Sequence, residues 1–99
     1  MNHSYLSAMQ FEWDEGNKHK SMTKHGITVE ETESVWDDPN KKIFESLNKD
    51  SNEKRYICIG HSYKDELLSI IFTIRNDKIR SISSRKANKK EKKIFEGSF

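Results

Sequence analysis

One cysteine, one proline and four scattered glycines in 99 residues leave several large classes of function without their raw material. The single thiol, Cys58, excludes an internal disulfide, and its place in the apolar run Ile57-Cys58-Ile59 is that of a strand residue in a reducing compartment. The glycines, Gly16, Gly26, Gly60 and Gly97, stand apart, so no glycine-rich loop is available to cradle a nucleotide phosphate. The four histidines, His3, His19, His25 and His61, lack the paired short spacings of a zinc site, and neither a metal nor a cofactor is expected. No nucleophile-elbow spacing is present. No apolar run approaches the ~20 residues that span a bilayer. Residues 1–10 carry neither the basic start nor the apolar stretch of a signal peptide. These absences point to a cytoplasmic protein with no membrane role.

Hydrophobic residues are scarce too, 32% against 34% charged, a balance close to that of disordered chains. What is present is concentrated, because the ten isoleucines and ten aromatics fall in a few segments. A compact fold with a thin core is expected. A chain of this length is one domain, burying only about two-thirds of its unfolded surface. The net charge of +2 conceals an asymmetry: residues 12–53 hold eleven acids and six bases, whereas residues 75–93 hold nine bases and two acids. The C-terminal third is where a polyanion would bind, although a lysine-rich helix face in water has the same composition.

The pattern along the chain is that of an α+β fold. Residues 1–10 show no periodicity and are expected to be a flexible extension without chemistry, with a single domain over 11–99. Phe11-Glu12-Trp13 alternates like a short strand, and Asp14 is placed to cap a helix running toward His25 and closed by Gly26. Thr28-Val29-Glu30-Glu31 has capping-box spacing and opens a second helix, with Val29, Thr32, Val35 and Trp36 inward, stopped by Asp37-Asp38-Pro39. Strands follow over 42–47, 54–60, 67–75 and 79–85, with polar turns at 49–52, 62–66 and 76–77, making an antiparallel meander. Asn88-x-x-Glu91 opens a last helix ending near Glu96. The helices are expected on one face of the sheet. Trp13 and Trp36 read as core rather than as base-stacking platforms.

The Asn76-Asp77 turn fixes a register. A two-residue loop sets Arg75 opposite Lys78, Thr73 opposite Arg80 and Ile71 opposite Ile82. Arg75, Lys78 and Arg80 then converge on one face, where like charges repel unless an anion neutralises them or water screens an open hairpin tip. Arg85 falls on the opposite face from Arg80 unless a bulge intervenes. The chemistry left open is metal-free acid-base work on RNA, which supplies its own 2′-hydroxyl nucleophile. His25, His61, Glu91 and the arginines are groups of the right kind. Each also has an ordinary structural role: a helix end for His25, a turn for His61, a capping box for Glu91.

Seven stretches, in order, resemble the BrnT family of toxins. They are Phe11-Glu12-Trp13-Asp14-Glu15-Gly16-Asn17, Lys24-His25-Gly26-Ile27-Thr28-x-Glu30-Glu31, Asp37-Asp38-Pro39, Arg55-Tyr56-Ile57-x-Ile59-Gly60, Thr73-x-Arg75, Ile79-Arg80-x-Ile82-Ser83-x-Arg85 and Lys90-Glu91. The resemblance implies a RelE-like ribonuclease fold, RNA cleavage without a metal and arrest of translation. It also implies a hetero-oligomer with a BrnA-type antitoxin, through which alone operator DNA is bound. By family position it marks His25, Arg80, Arg85 and Glu91 as catalytic, the arginines as phosphate clamps and His25 or Glu91 in proton transfer. Arg75 is carried over with them, and the basic patch adds Lys78, Lys89 and Lys90 as RNA contacts. The sequence departs from the family at Lys92 and Phe95, where arginine and tyrosine are usual, losing a two-pronged phosphate grip and a hydroxyl donor. A non-catalytic module of the same fold, acting only in transcriptional autoregulation, is the alternative.

Overall fold

The computed structural model describes residues 6, 9–46 and 53–97. Two short helices, α1 (Lys20–His25) and α2 (Val29–Ser34), lead through a 3-10 turn at Val35–Asp37 into a four-stranded sheet. The strands are β1 (Lys42–Glu45), β2 (Arg55–His61), β3 (Leu67–Arg75) and β4 (Lys78–Lys86), and α3 (Lys89–Glu96) follows. The sheet order is β1-β2-β3-β4 with every pair antiparallel, the expected meander. The turn expected at 49–52 lies outside the described residues.

The strands alternate between two faces. Leu68, Ile70 and Phe72 of β3 join Tyr56, Cys58 and Ile79 on the first face, against Ile27, Val35 and Trp36 of the helical layer. Phe72 meets the Trp36 ring edge-on at 5.3 Å and stacks on Tyr56 at 5.4 Å, the offset geometries that aromatic quadrupoles favour. Each of these side chains contributes ~1.5–3 kcal/mol by leaving water, which is how so few apolar residues hold a fold. Burial also pushes the Cys58 thiol up to about 12. Gly60 lets the 3-10 turn approach β2: a Cβ there would stand 2.9 Å from Val35 Cγ1 and 3.0 Å from Lys41 Cβ.

Several expectations are corrected. α3 lies on the second face, apart from α1 and α2: Glu91 reaches Ser69 of β3, and Lys42 Nζ of β1 donates to the carbonyl of Ile94. Phe11-Glu12-Trp13 forms one parallel bridge, Phe11 to Ile79, rather than a strand. The first helix starts at Lys20, not after Asp14, because Asn17 is drawn into a turn, its side-chain amide donating to the carbonyls of Glu12 and Ser81. Gly26, at φ 72°, closes α1 as expected. Thr28 caps α2 by accepting from Glu31 N–H, but the Glu31 carboxylate turns away to accept from Ser62 Oγ at 2.8 Å. Within the stretch expected to be a flexible extension, Leu6 is fully buried and accepts from Trp36 Nε1.

Candidate nucleic-acid interface

The Asn76-Asp77 turn has both residues at positive φ, 52° and 60°, the twisted two-residue hairpin loop that pairs Arg75 with Lys78 and Thr73 with Arg80 as the sequence implies. The register then slips. Phe72 pairs with Ser81 but Ile71 with Ser83, so Ile82 is an extra residue on β4 and the expected pairing of Ile71 with Ile82 is not made. Its consequence is functional. Ser69, Ile71 and Thr73 share the second face of β3, and the bulge sets both Arg80, opposite Thr73, and Arg85, opposite Ser69, on that face. The simple alternation that would separate Arg80 from Arg85 is broken at one residue. Arg55 of β2, also opposite Thr73, joins the same row as Arg80.

Three arginines on this face each grip a carboxylate with two nitrogens. Arg75 donates to Glu53 at 2.7 and 2.9 Å, Arg80 to Asp14 at 2.7 and 3.0 Å, and Arg85 to Glu91 at 2.7 and 2.8 Å. These fork-to-fork pairs are the strong, planar geometry available to a guanidinium. They also offset part of the convergence of like charges, pairing Arg75 and Arg80 with acids of the same chain. The Arg80 hydrogen bonds hold the Asp14 carboxyl below its ordinary value, and Arg75 does the same for Glu53. Arg55 differs from these three, for its Nε is buried with no acceptor among the described residues.

Glu91 is built into the structure more deeply than the other two acids. Asn88 caps α3 by accepting from Glu91 N–H, and the Glu91 carboxylate accepts in return from Asn88 N–H, the full capping box. It also accepts from Ser69 Oγ at 2.9 Å and from both Arg85 nitrogens. Burial pushes the carboxyl up, but the Arg85, Asn88 and Ser69 donors outweigh it and the net shift is downward. Four donors thus converge on this ionised carboxylate, about as many as its lone pairs accept.

The remaining sequence candidates separate. Lys78, Lys89 and Lys90 are exposed around the arginine face. His25 is exposed at the end of α1, a helix packed on β4 through Ser21 Oγ, which accepts from Ser84 N–H; no hydrogen bond of the arginine face involves it. Trp36 is core, whereas Trp13 is half-exposed, stacked on Phe11 at 5.8 Å and donating Nε1 to Glu33. His61 sits at the other side of α3, with Nδ1 3.5 Å from Asp38 and its ring edge-on to Phe95. Sequence reasoning gave Arg55 no role. The signal was the pairing of β2 with β3, which the turn residues alone did not specify. Among the described residues no three His, Cys, Asp or Glu side chains converge as metal ligands, and no helix is long and apolar enough to cross a membrane.

A family model described as the ribonuclease toxin BrnT of type II toxin-antitoxin systems matches residues 13–91, a span that contains the whole sheet, the three arginine pairs and the first turn of α3. No curated sequence matches the chain. The crystal structure of the Brucella abortus ribonuclease toxin BrnT is similar in fold, with a TM-score of 0.59 and 24% identity, covering 83% of this chain and 100% of that one. With four-fifths of its length matched, the chain belongs to the BrnT family of ribonuclease toxins of type II toxin-antitoxin systems.

Proposed function

We propose that this chain is a metal-independent endoribonuclease that holds RNA across the second face of the sheet, arrests translation and is neutralised by a BrnA-type antitoxin. The observation that carries the reading is the bulge at Ile82, which puts Arg80 and Arg85 on one face with Arg75 and Arg55. Guanidinium groups already gathered on one face exchange a carboxylate for a phosphate and stabilise the charge that develops on it under attack by the neighbouring 2′-hydroxyl. Arg80 and Arg85 take that role, Arg75 with Lys78, Lys89 and Lys90 holds flanking phosphates, and Glu91 positions Arg85. Operator DNA is reached only through the antitoxin. One feature favours the second reading, a non-catalytic module of the same fold: Asp14, Glu53 and Glu91 each have both oxygens on an arginine, so none is free as a base.

The test is induced expression of the wild type beside Arg80→Ala, Arg85→Ala and His25→Ala, with and without the neighbouring gene, following growth and RNA integrity. Loss of RNA that either arginine substitution reduces by at least tenfold, and that the neighbouring product suppresses, is the expected result. Intact RNA from folded wild-type protein sinks the nuclease reading in favour of the binding module. A His25 variant that still binds RNA but no longer cuts it keeps His25 as the proton-transfer group.

A further inference from the structure

The two edges of the sheet are treated differently. The β4 edge is covered: Ile79 N–H donates to the Gln10 carbonyl and Glu12 N–H to the Ile79 carbonyl, both at 2.8 Å. Farther along β4, Asn17 Nδ2 donates to the Ser81 carbonyl and Ser84 N–H to Ser21 Oγ. At the other edge, Ser46 N–H donates to the Arg55 carbonyl, which sets the phase of the β1–β2 ladder. Alternation then turns the backbone N–H and C=O of Ile43 and Glu45 outward, and among the described residues nothing pairs with them. An open edge is a template for another strand.

Beside that edge lies a cleft of about 320 Å³ between β1, β2 and α3. Phe44, Ile57 and Ile94, each only half-buried, form its apolar lining, and Lys90 stands at its rim. Lys42 shares the Phe44 side of β1, its Nζ on the Ile94 carbonyl at 3.0 Å. A strand added to β1 would therefore present alternate side chains to an apolar slot and, two residues away, to a lysine.

We infer that the outer edge of β1 together with the Phe44–Ile57–Ile94 cleft docks an extended segment of the neutralising partner protein. That segment carries an apolar residue beside Phe44 and an acidic residue two positions away beside Lys42. Main-chain hydrogen bonds to Ile43 and Glu45 supply affinity, and the slot and lysine supply specificity. A second copy of this chain fits less well, since β1 laid against β1 offers Lys42 only residues of the same face, Phe44 among them, and no acid. The inference rests on the reading of the chain as a toxin with a protein antitoxin, and it places that partner beside the arginine face, where a bound segment would obstruct RNA.

The test uses the full chain with the protein encoded beside it. Hydrogen exchange is followed at the Ile43 and Glu45 amides in the free and bound states, and affinity is measured by calorimetry for the wild type, Lys42→Glu and Glu45→Pro. Proline at Glu45 removes an outward donor that the β2 ladder does not use, and an edge strand tolerates it; thermal melts verify that both variants fold. Slowed exchange at Ile43 and Glu45 on binding, with affinity at least tenfold weaker in both variants, is the expected result. Unchanged affinity in the folded variants, or protection confined to other segments, overturns it. Protection of the same amides in the chain alone, with a dimer in solution, assigns the edge to a second copy instead. Wild type that cleaves RNA and binds its neighbour without using β1 sinks this inference alone. Wild type that neither cleaves RNA nor binds its neighbour sinks the toxin reading with it.

Discussion

Glu91 is the residue to which the sequence offers two tasks, a capping box and proton transfer. Its spacing from Asn88 announces the capping box, which the structure contains, and its place in the family resemblance suggests proton transfer; the structure adds Ser69 and the two Arg85 nitrogens as donors to its carboxylate. Glu91→Gln keeps an acceptor oxygen but turns an amide toward a guanidinium, and this should cost about 2 kcal/mol, the usual penalty for spoiling a charged hydrogen-bonded partner that is largely buried. The pH dependence has a definite sign. The folded-state carboxyl lies below its ordinary value of 4.5, so its contribution is present at neutral pH and is lost as pH falls through the folded value. Urea midpoints should therefore separate wild type from Glu91→Gln by a constant amount from about pH 8 to 6, with the gap closing below 4.5. A gap that persists undiminished to pH 3 would show that Glu91 acts through packing alone.

At the scale of elements, the strands were legible because short polar turns divide runs rich in isoleucine, and the hairpin register was legible because a two-residue loop leaves only one pairing. Two things were not. The run Leu67–Arg75 is apolar at nearly every position, since both faces of β3 are covered, so the period that would have assigned α3 to the second face is blurred. Ile82 carries no signature of a bulge, because isoleucine is as good a strand residue as its neighbours; the extra residue is set by what must pair on each side of it. The hairpin offers a measurable consequence. Asp77 holds φ 60° with a side chain that makes this region unfavourable, so Asp77→Gly should stabilise the protein by ~0.5–1 kcal/mol, read as a higher melting temperature. A lower melting temperature would mean that the Asp77 side chain contributes more than the backbone strain it imposes.

For the molecule as a whole, the division of charge along the sequence, acids before residue 54 and bases after 74, becomes a division that the fold partly closes. Asp14 and Glu53 come from the acidic part and Arg80 and Arg75 from the basic part, so the face that would hold RNA is partly neutralised in the free protein. Both acids are exposed enough for a phosphate to compete with them, Asp14 at 55% and Glu53 at 39%. Pairs whose carboxylate faces water contribute little, so RNA displaces these acids at small cost, but each displacement leaves a carboxylate that must recruit a cation, offsetting some of the counterion release that drives binding. The combined Asp14→Asn and Glu53→Gln variant removes that offset. Its affinity for a single-stranded RNA oligonucleotide, measured by fluorescence anisotropy, should rise roughly three- to tenfold at about 0.1 M salt, and the slope of log affinity against log salt should steepen by about one. Equal or weaker binding with an unchanged slope would mean that the two carboxylates orient the arginines for the phosphate rather than shield them, and that the arginine face is preformed only while its acids are in place.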